Sequence, residues 1–280
     1  MTIKITSDST CDLSKELVEK YNIGIVPLYV VKDGVSLKDG LEITPEDIFA
    51  FTDSTGKLCT TAAVSQYDYT ETFRPLSEQY DAVIHITISA DFSSCYQNAC
   101  AAAEEFPNVY VVDSRNLSTG HGHIVVEAAQ LAEQGLAPEE ICARLNDLTG
   151  RVEASFLLDR LDYMVKGGRC SSAAALGANL LRLKPCIEVI DGKMRVVKKY
   201  RGSYNKCIHD YVTERLANRG DLRGDRIFIT HAAAEPDTVE TARAAIAESH
   251  PFDEVYETHA GCTVTCHCGP HTLGVLFIRK

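Results

Sequence analysis

Apolar residues fall along this chain in short runs rich in Val and Ile, separated by longer Ala-, Leu- and Glu-rich stretches whose apolar positions recur with helical period. That alternation predicts an α/β fold. The runs predict strands over Ile3–Thr6, Gly24–Val31, Ala82–Ile88 and Val109–Val112 in the first half. In the second half they predict strands over Glu153–Leu158, Pro185–Ile190, Arg226–Thr230, Val255–Ala260 and Leu273–Ile278. Helical period predicts helices over Leu13–Tyr21, Ser65–Glu78, Cys95–Phe106, Ile124–Gln134, Pro138–Leu148, Tyr204–Asn218 and Thr238–Ser249. The chain has 280 residues, and at roughly 150 residues per domain that suggests two lobes. A fresh strand follows the helix Pro138–Leu148, so the expected boundary lies near Gly150, with lobes over 1–150 and 151–280.

Polar residues gather where apolar runs meet turns. Thr60-Thr61, Ser93-Ser94 and His267-Cys268-Gly269-Pro270 all sit at such junctions. An open α/β sheet brings the carboxyl ends of its strands to one crevice, so these three segments are expected to meet around a small anionic group. Each has a plainer reading. Thr61 alone is a loop threonine, and Ser93 is a good helix N-cap ahead of Cys95, as Ser9 and Asp12 are for the first helix. Asp8 would repel an anion and is expected to orient neighbouring polar groups instead. Lys166-Gly167-Gly168-Arg169 reads equally as an anion-binding turn or as a helix C-cap with cations at its dipole. It lacks the spacing of a phosphate-binding P-loop.

Charge and cysteine usage narrow the field. A formal net charge of -11 opposes binding to nucleic acid. Eleven scattered cysteines, with no apolar signal segment after Met1, fit a reduced cytoplasmic protein. No apolar run approaches the ~20 residues that span a bilayer, though transient membrane contact stays open. Cys262, Cys266, Cys268, His267 and His271 form a dense group of potential metal ligands. Their spacing is not a common zinc pattern, and on an extended chain Cys266 and His267 would point to opposite sides, so no metal is expected. His121-Gly122-His123 reads as a tight turn before a helix, and His231 as the end of a strand.

In order along the chain come Thr6-Ser7-Asp8-Ser9-Thr10 with Asp12-Leu13, Ile25-Val26-Pro27-Leu28, Thr61, Ser89 with Ser93 and Tyr96-Gln97-Asn98-Ala99, and Val112-Asp113-Ser114. Lys166-Gly167-Gly168-Arg169, Leu183-Lys184-Pro185, Tyr200-Arg201 and His267-x-Gly269-Pro270 complete the series. In that order and spacing they resemble the DegV family of bacterial proteins, which includes the fatty-acid-binding subunits of fatty acid kinase. The resemblance spans essentially the whole chain. It implies a two-lobed α/β fold, sometimes called the EDD fold, with a long-chain fatty acid between the lobes. Its carboxylate would meet Thr61, Ser93 and His267. The resemblance also implies a separate ATP-dependent kinase that forms an acyl phosphate, and an acyltransferase that receives the product. Such a carrier needs no cofactor and no catalytic residue of its own. Arg169 and Arg201 are expected near the mouth, contacting phosphate or partner.

The sequence departs from the family beside each headgroup residue. Ala62-Ala63-Val64 replaces Ser-Gln-Pro after Thr61, Ser94-Cys95 replaces Gly-Thr after Ser93, and Gly269-Pro270-His271 replaces Gly-Pro-Gly. Ser94, Cys95 and His271 are therefore expected pocket neighbours, with His271 adding bulk where glycine would give freedom. The rival reading is a hydrolase of lipid-like esters, using Ser93 with His267 or a Cys/His-bound metal.

Overall fold

The computed structural model describes residues 1–175 and 183–280. Four parallel strands form one sheet, in the order Gly24–Val26, Ile3–Asp8, Ala82–Thr87, Val109–Asp113. All six residues of Ala82–Thr87 are buried, as expected of a parallel strand covered on both faces. A six-stranded sheet runs Lys193–Arg201, Leu183–Ile190, Val152–Leu157, Thr272–Arg279, Leu222–Ala232, Glu254–His259. Its pairings are antiparallel except the last, between Leu222–Ala232 and Glu254–His259. A small antiparallel sheet of Val35–Lys38, Tyr29–Lys32 and Thr60–Ala62 completes the set. The two smaller sheets thus draw on residues up to 113, and the six-stranded sheet on residues from 152 onward.

The expected strand Gly24–Val31 is two strands in different sheets, Gly24–Val26 and Tyr29–Lys32. Pro27 separates them, and it has no N–H to continue a ladder. The helix expected to begin at Ile124 instead begins at Ser118 and runs to Glu133, so His121-Gly122-His123 is helical and not a turn. Twelve of its sixteen residues are buried, because it lies between the two large sheets. His121 reaches Ser7 Oγ at 3.0 Å on one side, and His123 Nε2 reaches the Leu276 carbonyl at 2.9 Å on the other. Gly122 is required by that packing: a Cβ there would sit 2.7 Å from the Cys11 carbonyl oxygen.

Ser9 and Asp12 do not cap the first helix. Ser14 caps Lys15–Lys20, accepting from Leu17 N–H at 3.3 Å. Asp8 behaves as expected, accepting from the Thr10 amide and hydroxyl and, at 2.7 Å, from the Ile88 amide. The stretch around Cys266 is a helix, Cys262–Cys268, and not an extended segment. Cys262 and Cys266, one turn apart, enter a cluster with Val30, Ile43, Ile48 and Cys59, while Cys268 packs among Phe156, Leu158 and Met164. The three thiols therefore serve two different cores, and burial pushes all three thiol pKa values upward.

Candidate functional site

Two aspartates from the first forty residues hold the helix that carries His267. Asp39 accepts from Cys262 N–H at 2.9 Å, Thr263 N–H at 3.1 Å and the Thr263 hydroxyl at 2.7 Å. Ser9 also donates to it at 3.0 Å. Asp12 accepts from Gly261 N–H at 2.9 Å and from the Ser118 hydroxyl at 2.6 Å. These side chains satisfy amides that a helix start leaves unpaired. The helix Cys262–Cys268 has no side-chain cap of its own. Sequence reading assigned Asp12 to a local cap and did not single out Asp39. Their role depends on contacts more than 200 residues away in sequence.

One turn further on, His267 Nε2 lies 2.9 Å from Thr61 Oγ1 on the strand Thr60–Ala62. Its other ring nitrogen, Nδ1, is buried without a hydrogen-bond partner among the described residues and faces Gly167. A bare acceptor is cheaper to bury than an unmade donor on a ring whose other nitrogen is engaged, which favours hydrogen on Nε2. In that tautomer Nε2–H donates to Thr61, whose own hydroxyl proton is left to donate to a ligand. Burial, aided by the positive Arg169, lowers the His267 pKa to about 4, so the ring is neutral at pH 7.

Thr61, Ser93 and His267 line the same cavity, which holds about 660 Å³ including its open mouth. Its walls are mostly apolar, with Leu28, Ile88, Phe92, Leu117, Met194 and Val264 among them. A second hollow shares Leu117, Val264 and Cys268 with the first and continues toward Phe156 and Leu276. Ser93 lies in the turn ahead of the helix Cys95–Ala103; its hydroxyl accepts from Cys95 N–H at 3.3 Å and lies 3.1 Å from Cys95 Sγ. The N-cap of that helix is Ser94 and not Ser93, which meets the first helical amide from one residue upstream while lining the cavity.

Ser94 also lines the cavity, and exposed Arg169 stands at it with its guanidinium on the Gly167 carbonyl at 2.8 Å. Gly168 is the left-handed C-cap of the helix Asp162–Gly167 (φ 70°), so the double glycine ends a helix beside the cavity. The other expected neighbours stand apart. Cys95 is wholly buried behind Ser93, and exposed Arg201 ends the strand Lys193–Arg201 away from the cavity lining. His271 is not in the lining either. It adopts a left-handed backbone (φ 58°), and its N–H donates to the Ala232 carbonyl at 2.7 Å. Replacing glycine here therefore strains the turn and adds nothing to the pocket wall. Among the described residues Ser93 and His267 share no hydrogen bond, and the ring is engaged with Thr61 instead. A nucleophile–base pair is not assembled in this geometry.

An apolar chamber with a few hydroxyls and one neutral imidazole converging on one part of its wall is the general form of a small-molecule site in an α/β fold. The chain belongs to the DegV family: the family model described as "Uncharacterised protein, DegV family" matches residues 2–280. A DegV domain-containing protein of Caldanaerobacter subterraneus subsp. tengcongensis is 31% identical, covering 99% of each chain. A protein named fatty acid-binding protein from Thermotoga maritima is 31% identical over 98% of this chain and 96% of its own. The solved structure of a DegV family protein from Thermus thermophilus, described by its fatty acid binding, superposes with a TM-score of 0.91 at 30% identity over the full length of both chains. The mixed α/β architecture is therefore that of the DegV fold. Among the described residues no helix is long and apolar enough to cross a membrane.

Proposed function

We propose that this protein is a non-catalytic carrier that encloses a long-chain fatty acid and presents its carboxylate to a separate ATP-dependent kinase. The observation that carries the proposal is the convergence of Thr61, Ser93 and His267 on one part of an otherwise apolar cavity. The fatty acid binding of relatives about 30% identical over the whole chain supports it. In this reading the hydroxyls of Thr61 and Ser93 donate to the carboxylate, and His267 orients Thr61. The tail extends past Leu117 and Val264 toward Phe156 and Leu276. Each methylene contributes ~0.8 kcal/mol on burial, so a 16-carbon tail supplies on the order of 10 kcal/mol. The polar contacts then fix where the headgroup ends, while the tail sets the affinity.

The kinase would phosphorylate the exposed carboxylate oxygen, and the acyl phosphate would pass to an acyltransferase. Arg169 at the cavity and Arg201 on the outer strand supply positive charge for phosphate or partner contact on an otherwise acidic protein. The reading also includes a cytoplasmic location and a division of the chain near Gly150. Mass spectrometry of solvent extracts from the purified protein tests it, comparing wild type with a Thr61→Ala/Ser93→Ala/His267→Ala variant. Stoichiometric fatty acid in the wild type, depleted in the variant, supports the carrier. Absence of fatty acid, or equal loading of a correctly folded variant, refutes the site.

A further inference from the structure

At the far edge of the six-stranded sheet, His231 lies near the end of Leu222–Ala232, and His259 ends the neighbouring strand Glu254–His259. The parallel register sets the two directly opposite each other. Their rings meet edge to face with centroids 4.6 Å apart. Side chains two apart along a strand share a face, so Glu257 joins them, with Oε1 3.5 Å from His231 Nε2. One ligand atom from each of the three residues falls within 4.8 Å of the others. The cluster is separate from Thr61, Ser93 and His267, although His231 also lines the second hollow.

We propose that His231, Glu257 and His259 bind a divalent transition-metal ion of the zinc and nickel class. Imidazole and carboxylate are the donors such ions take, in a set of two histidines and one glutamate that leaves at least one position for water. A tetrahedral ion at ~2.0–2.2 Å from each donor sets the donors ~3.4 Å apart, so side-chain rotation must close the widest separation by roughly 1 Å or more. The surroundings suit this. Arg243 holds Glu257 Oε2 at 2.9 Å and leaves Oε1 directed at His231. Glu257 and His259 are exposed, so an ion enters from solvent without opening the fold.

Ligation through Nε2 requires hydrogen on Nδ1, and the ring then gives up the 3.3 Å contact it accepts from the Ala234 amide. That contact is long, and its loss is the main local cost. The ion would tie together the strand ends immediately before Ala260-Gly261, where the chain enters the helix bearing His267.

Calorimetric titration of tag-free, chelator-treated protein with Ni²⁺ alone tests the site, since nickel favours imidazole over the chain's many thiols. One ion per chain is expected, with binding weakened at least ~10-fold in His259→Gln and in Glu257→Gln. Both positions are exposed, and circular dichroism checks that the variants remain folded. Thermal melts with Ni²⁺ should show a raised Tm for wild type and none for the His259→Gln/Glu257→Gln double variant. Absence of saturable binding, or the same affinity and melting shift in wild type and the folded double variant, overturns the assignment.

Discussion

Gly167→Ala sets two simple rules against each other. Gly167 is the last residue of the helix Asp162–Gly167, where alanine is favoured over glycine by up to ~1 kcal/mol. Propensity alone therefore predicts stabilisation. The added Cβ, however, would lie well inside contact distance of His267 Nδ1. The ring would have to retreat by roughly 1 Å to reach ordinary van der Waals contact. Pushed from its Nδ1 side, the ring is driven toward Thr61 and must swing out of line with Oγ1, which forfeits the 2.9 Å Thr61–His267 hydrogen bond, a loss of ~1 kcal/mol. Crowding in a packed site adds ~1–3 kcal/mol. The expected balance is a net destabilisation of ~1–3 kcal/mol in equilibrium urea unfolding. Displacement of a fluorescent fatty acid should show affinity falling by ~5–10-fold, the equivalent of the lost contact. A variant that is more stable by ~1 kcal/mol, with unchanged affinity, would show that the close approach of Gly167 to the imidazole carries no energy.

Asp39→Ala removes the acceptor for two amides and two hydroxyls at the root of the His267 helix, and urea unfolding should record a loss of ~2–4 kcal/mol. His271→Gly relieves a left-handed side-chain residue and should raise stability by up to ~1 kcal/mol in the same assay, with fatty acid affinity unchanged because His271 is outside the cavity lining. Acid should destabilise the fold through its neutral histidines. Burial lowers His85 and His123 to about 3, and His267 to about 4. The unfolded chain then takes up protons below pH ~6.5 that the native state refuses, so stability falls with pH from there down to the folded values. Asp12, raised to about 8 by burial, acts in the opposite sense over pH 4–8. Comparing wild type with His267→Gln isolates one group: between pH 7 and pH 5 the variant should lose ~2 kcal/mol less than wild type, and an equal loss contradicts a neutral buried ring.

Ala82–Thr87, buried along its whole length, was legible as a largely apolar run broken by His85. Some strands with a wet face were not. Lys193–Arg201 carries five cations in nine residues and is mostly exposed, so its β character depends on the bulged ladder it forms with Leu183–Ile190. Thr60–Ala62, which bears Thr61, is only three residues long and exists through its pairing with Tyr29–Lys32. A local signal did exist for the unforeseen helix Pro45–Thr55: Thr44 and Asp47 form a capping box, and Pro45 stands in the first turn. No local signal marks Cys262–Cys268, whose Thr-Val-Thr run disfavours helix. It is helical because Asp12 and Asp39 meet its amides. Thr61, Ser93 and His267 were singled out in the sequence and line one cavity, but the support that positions them was not foreseen.

The clasp of Asp12 and Asp39 on residues 261–263 also sets an order of assembly. Each link closes a loop of more than 220 residues, an entropy cost that must be met before the contact gives anything back. During synthesis the strands of the first sheet, all within residues 3–113, emerge and can pair long before Gly261 leaves the ribosome. Until then both side chains lack the amide donors of residues 261–263. The ligand chamber is thus among the last parts of the molecule to close, and a nascent chain stalled before residue 261 would have a formed sheet and no binding site.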